Sequence, residues 1–407
     1  MTRMPPSSAF AIPAEAAAVG RQDRRIRLLL LTDTPVLAPG GSERFLQNLA
    51  TRLPREHYRV SVVQLHAGHM PLVGQVSSRL PGVQLQSQPV HAVYDRSGLR
   101  AWRALRAMLQ AEHFDIVQSQ HEKADLLNAL LPRRNGTVHV SNRRDMGFKK
   151  SARLQQLFRY LNPRFDTVVA PARQILSGLA RFEQLDALRM TWIPNGVDTR
   201  RFAPATHQTR QGARRALGLE QQAVVFGCVA RLTEVKRHID LIDAFAQVHR
   251  ASPQARLLLI GDGPMLAPVQ DRMSALGVAD AVVLLSFRDD VEAILPALDA
   301  LVLASSSEGM SNAILEGMAC GLPVIATAVG GNLHLVQHEN TGLLVPARDP
   351  ISLAAAMQSL VRSPQLAQHM GATARSRTER EFSLDAMVQA FDQMYRHLLD
   401  QRAPRRA

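Results

Sequence analysis

The sequence predicts an α/β protein with two domains, each built on a parallel sheet. The chain has 407 residues, and at roughly 100–200 residues per domain that length allows two or three domains. Apolar residues make up 46% of the chain and charged residues 20%, which is the balance of a folded globular protein. Short β-branched or Leu-rich runs alternate with amphipathic segments along nearly the whole chain, and this alternation is typical of parallel βαβ units.

The first domain is predicted over residues 26–200. Its strands are short apolar runs and its helices have apolar residues at helical spacing. Proline, asparagine and glycine at 194–196 supply the turn that closes the unit. The predicted strands are 26–32, 59–65, 116–119, 137–141 and 167–170, and the predicted helices lie near 42–53, 97–111, 122–131, 150–161 and 172–181.

The second domain is predicted over residues 201–380. A polar stretch at 204–210 indicates a linker between about 199 and 215. Apolar residues at helical spacing predict a long amphipathic helix at about 382–400, which must pack on another part of the protein. The predicted strands are 224–230, 256–260, 282–285, 301–304 and 324–326, and the predicted helices lie near 236–250, 264–277, 312–320 and 351–362. Residues 1–25 are predicted to form a mostly disordered leader.

The chain is strongly basic. Its 48 Lys and Arg residues against 35 Asp and Glu residues give a formal net charge of +13. This charge favours a polyanionic partner, which could be nucleic acid, an anionic membrane or a phosphorylated small molecule. The two cysteines, Cys228 and Cys320, form neither a disulfide framework nor a metal cluster, so a reducing cytoplasm is the expected compartment. No stretch approaches the ~18 consecutive apolar residues of a membrane span.

Two cations flank a strand-to-helix turn in the second domain. Arg231 and Lys236 are five positions apart, and a diphosphate could sit between them. Because only four of the basic residues are lysine, a lysine here suggests a site that needs a compact ammonium group. The alternative is a pair of solvated surface charges.

Two glutamates follow the predicted strand 301–304. Glu308 lies in the loop after it and Glu316 lies about two turns along the following helix. Open α/β sheets bind ligands at the carboxyl ends of their strands, and the backbone N–H groups of Met310, Ser311 and Asn312 would face an incoming phosphate there. Glu316 stands among apolar residues, so its carboxylate needs a partner, which sugar hydroxyls would supply. The alternative is a glutamate on the helix surface.

A diglycine turn follows the first strand. Gly40 and Gly41 let the backbone approach a ligand closely at the N-terminus of the next helix. A bare strand-to-helix turn is an equal alternative. The segment is not a GxGxxG fingerprint, and no GxxxxGK[ST] sequence occurs in the chain, which counts against a standard NAD site or a P-loop ATPase.

Together these motifs resemble the retaining glycosyltransferases of family 4, which have the GT-B fold. The resemblance extends from about residue 26 to 400 and is most specific in the second half. It implies two Rossmann-like domains that face each other across a cleft, with the C-terminal helix crossing back to the first domain. The motifs that carry it are Arg231 with Lys236, Glu308 with Glu316, the Gly-Asp-Gly-Pro segment at 261–264, the segment 193–198 and Gly40 with Gly41.

The resemblance also implies a role for each residue. Arg231 and Lys236 would hold the donor's diphosphate, Glu316 would bind the ribose hydroxyls, and Glu308 would lie against the donor sugar. Gly41 would offer its backbone to the phosphate or sugar, and Phe287 and Arg288 would line the base. The implied donor-binding set is Gly40, Gly41, Arg231, Lys236, Gly261, Phe287, Arg288, Glu308, Met310, Ser311, Asn312 and Glu316, and the implied catalytic set is Arg231, Lys236, Glu308 and His121.

No metal or other cofactor is expected, because fixed cations and a helix N-terminus can stabilise the departing diphosphate. In keeping with this, the sequence has no Asp-x-Asp pair of the kind that carries Mn²⁺ in the other main glycosyltransferase fold.

The chain departs from the family where a histidine often follows the Asp-Ile-Val strand. Gln120 stands there and His121 is displaced by one, so a general base at His121 stays open. The expected acceptor side is Gln120, Arg143, Arg144 and Asn195. A second departure is His334, which stands where a glutamate is common; with His338 it forms a surface pair rather than a metal site.

Seven cations and one acid, Asp145, lie between Arg143 and Arg164, with Leu and Phe on one face of the helix predicted there. This is either a core-facing helix with a basic rim or a contact with an anionic membrane or a lipid diphosphate acceptor.

The expected partners are a nucleotide-sugar donor and a glycan or lipid-linked acceptor, with no nucleic acid. Whether the donor carries UDP or GDP is undecided. The expected acceptor belongs to cell-envelope polysaccharide, lipopolysaccharide or glycolipid synthesis. Two alternatives stay open. One is a GT-B epimerase or hydrolase of nucleotide sugars; the other is a polyanion-binding protein, against which an aromatic content of 5% counts.

Overall fold

A computed structural model describes residues 25–38, 40–66, 78–133, 136–144 and 150–402. Two fully parallel sheets with helices on their faces lie within these residues. The predicted α/β class with two parallel-sheet domains is therefore confirmed. Most of the predicted leader, together with Asp145 and Lys149 of the basic segment, lies outside the described residues.

The first sheet has seven strands. Its strands are β1 Ile26–Thr32, β2 Tyr58–Gln64, β3 Gln84–Ser87, β4 Ile116–Gln120, β5 Val138–Asn142, β6 Thr167–Ala170 and β7 Met190–Trp192, and its helices are α1 Gly41–Arg52, α2 Arg96–Ala111, α3 Glu122–Leu130, α4 Ala152–Leu161 and α5 Arg173–Glu183. The strand order is β3-β2-β1-β4-β5-β6-β7. The sequence analysis missed the two edge strands β3 and β7, because each is short and neither is fully buried.

The second sheet has six strands. Its strands are β8 Val224–Val229, β9 Ala255–Ile260, β10 Val282–Leu285, β11 Ala300–Leu303, β12 Val324–Thr327 and β13 Gly342–Val345, and its helices are α6 His207–Ala216, α7 His238–Ala251, α8 Leu266–Ala275, α9 Val291–Ile294, α10 Asn312–Ala319, α11 Asn332–Leu335, α12 Pro350–Arg362 and α13 Pro364–Glu381. The order is β10-β9-β8-β11-β12-β13. In both sheets the order reverses beside the first strand, and this switch point places the ligand-binding loops at one edge of each sheet.

The linker predicted at 199–215 is wrong in its second half, because α6 occupies it. The Thr206 side chain caps this helix by accepting a hydrogen bond from the Thr209 N–H at 3.2 Å. Arg214 is buried, pairs with Asp299 at 2.7 Å and donates to the carbonyls of Gln221 and Ala223. The polar composition was misleading, since α6 is anchored by a buried arginine where most helices use apolar side chains.

A last helix, α14 Leu384–Arg402, crosses back to the first domain as predicted. Its Tyr395 hydroxyl donates to Gln118 Oε1 at 2.7 Å, and its Phe391 ring lies 5.4 Å from the Phe45 ring. The two chain crossings between the domains are hydrogen-bonded to each other through both backbone groups of Val197. Along the described residues, no helix has the length and apolarity that a membrane crossing requires.

Candidate active site in the interdomain cleft

A cavity of about 550 Å³ lies between the two domains. Its walls are the first turns of α1 with the loop before it, the crossing at 195–202, the loop before α9, the first turns of α10, the start of α14 and the side chain of Arg79. The residues around it that matter for chemistry are Gly40, Gly41, Arg44, Asn195, Asp198, Arg201, Phe287, Asp289, Asn312 and Glu316. The cleft therefore brings together predicted residues that are more than 270 positions apart in the chain.

Glu316 faces this cavity from the second turn of α10. The helix begins after Ser311, whose hydroxyl accepts a hydrogen bond from the Ile314 N–H at 3.4 Å. Only 8% of the Glu316 side chain is exposed, and Arg44 Nη1 donates to its Oε1 at 2.7 Å. Burial raises the pKa of Glu316 to about 7, although Arg44 and Arg201 act in the opposite direction. The carboxylate is thus a hydrogen-bond acceptor held in a cavity wall, as the ribose role requires.

Glu308 and Lys236 are in direct contact. Lys236 Nζ donates to Glu308 Oε1 at 2.5 Å, and the same oxygen accepts from the Ser305 hydroxyl at 2.6 Å. Lys236 ends a short 3₁₀ helix after β8, whereas Glu308 lies in the loop after β11. The parallel order β8-β11 makes these two loops neighbours, which explains why residues 72 positions apart meet.

Arg231 is exposed in the loop after β8, and its guanidinium has no hydrogen-bond or ion-pair partner in the part of the chain that the structure describes. Two glycines after β9 press against this loop. A Cβ atom on Gly261 would lie 2.2 Å from the Ala230 oxygen, and one on Gly263 would lie 2.3 Å from the Leu232 oxygen. Both glycines also have positive φ, 142° and 157°. The Gly-Asp-Gly segment therefore acts by close packing that fixes the Arg231 loop.

Phe287 lines the cavity, whereas the neighbouring Arg288 does not. Phe287 lines the cavity with 56% of its surface exposed, and its N–H donates to Asp262 Oδ2 at 2.7 Å. Arg288 pairs with Asp290 at 2.6 Å and is not among the residues that line the cavity. Arg201, which sequence reasoning missed, lies there instead and pairs with Glu292 at 2.8 Å.

The predicted acceptor residue Asn195 joins the two domains at the start of α10. Its Nδ2 donates to Asn312 Oδ1 at 3.0 Å, and its backbone N–H donates to Met310 Sδ at 3.1 Å. Its Oδ1 accepts from Arg144 Nη2 at 2.6 Å. The Arg144 guanidinium lies 3.8 Å above the Phe45 ring, and burial lowers the pKa of Arg144 to about 9.

Gln120 and His121 lie beside the N-terminus of α1. Gln120 is buried and its Nε2 donates to the Ser42 carbonyl at 3.1 Å. Its Nε2 is also 3.4 Å from His121 Nε2, and His121 has a positive φ of 72° just before α3. Both side chains are therefore near the diglycine turn, with Gln120 directly against it.

Arg143 is not at the cleft. It is buried in the first domain, where its Nε lies 3.0 Å from Asp125 Oδ2 and its guanidinium stacks on the Phe158 ring at 4.0 Å. Its placement on the acceptor side is thus corrected, because buried carboxylates hold the guanidinium inside the domain. His334 likewise packs edge-on to the Trp192 ring at 4.3 Å. Within the described ranges, no three His, Cys, Asp or Glu side chains cluster as metal ligands.

Arg44, Arg79 and Arg201 are the cleft cations that sequence reasoning missed. A signal existed for Arg44, which stands three positions after the diglycine turn on the first turn of the following helix. No local pattern marks Arg201.

Two family models match the chain and together cover about four fifths of it. The model "Glycosyltransferase Family 4" matches residues 39–201. The model "Glycosyl transferases group 1" matches residues 209–377. The junction between them coincides with the crossing that precedes α6.

Known proteins with similar sequences are sugar transferases. The chain is 25% identical to the UDP-Gal:alpha-D-GlcNAc-diphosphoundecaprenol alpha-1,3-galactosyltransferase of Escherichia coli, over 84% of this chain and 90% of that protein. It is 30% identical to the N-acetyl-alpha-D-glucosaminyl L-malate synthase of Bacillus anthracis, over 46% of this chain and 49% of that protein, so this match spans about half of each.

A solved structure of similar fold is that of HepE from Anabaena in complex with UDP. It superposes with a TM-score of 0.79 at 21% identity and covers 91% of this chain and all of that chain. At this identity the likeness establishes the fold.

Proposed function

The chain belongs to glycosyltransferase family 4 and has the GT-B fold, and from this premise we propose that it moves a sugar from a nucleotide-diphosphate sugar to a hydroxyl group with retention of the anomeric configuration. One observation carries the proposal: a carboxylate, an exposed aromatic ring and two helix N-termini surround one interdomain cavity. Its volume of about 550 Å³ is within the ~300–1,000 Å³ of small-molecule sites.

The second domain binds the donor in this proposal. Glu316 accepts hydrogen bonds from the ribose hydroxyls, and Phe287 stacks against the base. Lys236 and Arg231, together with the N-terminus of α10, neutralise the negative charge that develops on the departing nucleoside diphosphate. Because these groups are preorganised cations and dipoles, the reaction proceeds without a metal ion.

Retention follows from attack on the face that the diphosphate leaves. The bond between the acceptor oxygen and C1 forms as the bond between C1 and the phosphate oxygen breaks, and the acceptor's proton passes to the departing phosphate. Gln120, which cannot act as a base at neutral pH, lies against the α1 turn at 3.1 Å from the Ser42 carbonyl. This proposal therefore assigns Gln120 a positioning role and gives the proton to the leaving group.

The acceptor belongs to cell-envelope polysaccharide, lipopolysaccharide or glycolipid synthesis. The Escherichia coli relative is named for a diphosphoundecaprenol-linked acceptor, and Arg144 supplies a cation beside the cleft for such a diphosphate. Because Arg144 is stacked on Phe45 and held by Asn195, its guanidinium is fixed in orientation.

Purified protein incubated with UDP-, GDP- and ADP-sugars tests the main proposal. We expect Lys236→Ala to lower kcat/KM by about 10²–10³-fold, the range for removing a preorganised charge-stabilising group. Glu316→Ala should lower it by about 10–100-fold, the loss expected for a hydrogen bond to a charged group. Glu220→Ala is the control, since Glu220 is an exposed glutamate paired with Arg256 far from the cavity. Normal turnover by Glu316→Ala overturns the site assignment.

The same assay separates the mechanisms. NMR of the product reads the anomeric configuration, and an inverted linkage rejects retention. An unchanged rate in EDTA is expected, and loss of activity restored by Mn²⁺ rejects metal independence. Rapid, stoichiometric release of free sugar without acceptor indicates a hydrolase instead.

We also propose that α4 and α5 contact the anionic inner face of the cytoplasmic membrane. Of the apolar face predicted for α4, at positions 154, 157, 158 and 161, only Phe158 is buried and Leu157 is 44% exposed. Tyr160, outside that predicted face, is 74% exposed. Phe182 of α5 lies beside them, since Arg159 Nε donates to its carbonyl at 3.3 Å. Exposed apolar side chains on a basic helix are the composition that binds anionic interfaces.

Co-sedimentation with vesicles of anionic phospholipid tests this contact. Leu157→Ser with Tyr160→Ser should reduce binding several-fold, whereas the control Ile351→Ser, on an exposed isoleucine of the second domain, should not. Equal binding by both variants, or no binding by the wild type, rejects the membrane contact.

A further inference from the structure

One contact joins the first domain directly to the carboxylate that the proposed function assigns to the donor ribose. Arg44 lies in the first turn of α1, and its Nη1 is 2.7 Å from Glu316 Oε1 on α10. Both residues line the interdomain cavity. No other side chain in the described part of the chain donates a hydrogen bond to Glu316. The guanidinium therefore occupies one of the two carboxylate oxygens to which ribose hydroxyls would donate.

Resting on the proposed donor role of Glu316, we propose that Arg44 is a positioning residue that competes with the nucleotide ribose for Glu316, so that donor binding releases α1 from the second domain. The ribose and the guanidinium are both donors, and Glu316 Oε1 is the oxygen that Arg44 occupies. The competition is physically feasible because Arg44 is 44% exposed. Its guanidinium can return to water at little cost, whereas the buried carboxylate needs a replacement donor.

Neighbouring contacts show how breaking the Arg44–Glu316 pair would affect the first domain. Gly41 packs so closely on the second domain that a Cβ atom on it would lie 3.0 Å from Asn312 Nδ2. Asn195 bridges to the same Asn312. The Arg44–Glu316 ion pair thus lies beside the close packing of Gly41 on Asn312, and both contacts join α1 to α10.

The chain offers a matched control for this contact. Arg52 lies on the same helix with a similar exposure, 38%, and also crosses to another part of the chain, where it pairs with Asp198 and Asp385. It does not touch Glu316 and does not line the cavity. Arg52→Ala therefore removes an arginine and an ion pair from α1 without freeing the ribose partner.

Calorimetric titration of the full-length protein with UDP and with GDP tests the proposal. If Arg44 covers Glu316 in about 70–90% of molecules, its removal raises apparent affinity by about 3–10-fold, because affinity scales with the binding-competent fraction. We expect this gain in Arg44→Ala, wild-type affinity in Arg44→Lys, which keeps a cation on α1, and wild-type affinity in Arg52→Ala. Inorganic pyrophosphate, which has no ribose, should gain nothing from Arg44→Ala.

Each other outcome overturns the inference. Unchanged or weaker nucleotide binding in Arg44→Ala, with wild-type binding intact and lost in Glu316→Ala, rejects the competition and leaves the proposed function standing. An equal gain in Arg52→Ala attributes the effect to general loosening of the domains, and an equal gain for pyrophosphate places it away from the ribose. If the wild type binds neither nucleotide, the proposed function and this inference fail together.

Discussion

The interiors of the two domains are built on different principles. In the second domain the buried apolar side chains form one continuous cluster to which all six strands of its sheet contribute. In the first domain they divide into three separate clusters. The buried polar and charged side chains of the first domain include Ser119, Asp125, Asn128, Ser141, Arg143 and Glu183. The second domain thus has one continuous apolar core, whereas the first domain combines a divided core with a connected set of buried polar groups.

A buried ionic network runs through the interior of the first domain. Asp125 Oδ1 accepts from the hydroxyls of Ser119 at 2.6 Å and Ser141 at 2.8 Å, while Arg143 pairs with its Oδ2 at 3.0 Å. Lys150 Nζ donates to Glu183 Oε1 at 2.6 Å. This network joins α3, β4, β5 and α5, so the position of the residue next to Arg143, the cleft cation Arg144, depends on charges that must stay paired.

The buried arginine of the second domain shows the contrast at one residue type. Arg214 donates to the backbone carbonyls of Ala297, Gln221 and Ala223, and it also pairs with Asp299. Arg143 relies on side chains for its partners, namely Ser141, Asp125 and Glu183. Backbone carbonyls survive any substitution, whereas each side-chain partner can be removed by one. Single substitutions should therefore destabilise the interior of the first domain more easily than that of the second.

The largest expected effect follows from breaking this network. Arg143→Met leaves the Asp125 carboxylate buried without a cation, and removal of one partner of a buried ion pair costs about 3–5 kcal/mol. Both tryptophans of the chain, Trp102 and Trp192, lie in the first domain. Tryptophan fluorescence during urea unfolding therefore measures the domain in question, and its transition should move to lower urea concentration.

Two further variants make this prediction specific. Adding Asp125→Asn to Arg143→Met neutralises the stranded carboxylate and should recover part of the loss. Arg153→Met, at an exposed position of α4, should change the free energy of unfolding by no more than about 0.5 kcal/mol. If Arg143→Met costs no more than Arg153→Met, the two interiors do not differ in the way proposed.

The difference between the domains also explains what the sequence could predict. Arg231, Lys236, Glu308 and Glu316 belong to short local patterns around strands that are apolar and continuous. The strands were therefore predicted from the sequence, and the four residues were singled out as candidates, of which Glu316 lines the cavity. Arg143 was misplaced because a run of cations does not disclose which one has a buried carboxylate, and its partner Glu183 lies forty positions away.

Contacts between distant residues, and elements without a clear apolar pattern, could not be predicted from the local sequence. The contact of Arg44 with Glu316 joins residues 272 positions apart and exists only once the two domains face each other. Strand β3 was missed because its residues alternate between exposed and half-buried, so it lacks the apolar run that marks the central strands. Helix α6 was missed because its single buried side chain is an arginine.

A smaller effect is expected in the second domain, where the buried carboxylate of Glu316 should lower the stability of the protein when it is ionised. Burial raises the pKa of Glu316 from 4.5 to about 7. A carboxyl group whose pKa is higher in the folded than in the unfolded protein contributes stability below pH 4.5, and that contribution is lost as pH rises through 7. The shift corresponds to at most about 3 kcal/mol. Glu316→Gln cannot lose a proton, so its free energy of unfolding relative to the wild type should increase between pH 4.5 and pH 8.

Urea unfolding of the wild type and of Glu316→Gln, followed by far-UV circular dichroism at several pH values, measures this difference. Every other titrating group is common to both proteins, so the change in their difference with pH belongs to Glu316. A Glu316→Gln difference that is constant with pH, or that shrinks as pH rises, would mean that the cleft carboxylate is not destabilising when ionised. The site carboxylate would then not lower the stability of the second domain, and the difference between the two domain interiors would rest on the ionic network of the first domain alone.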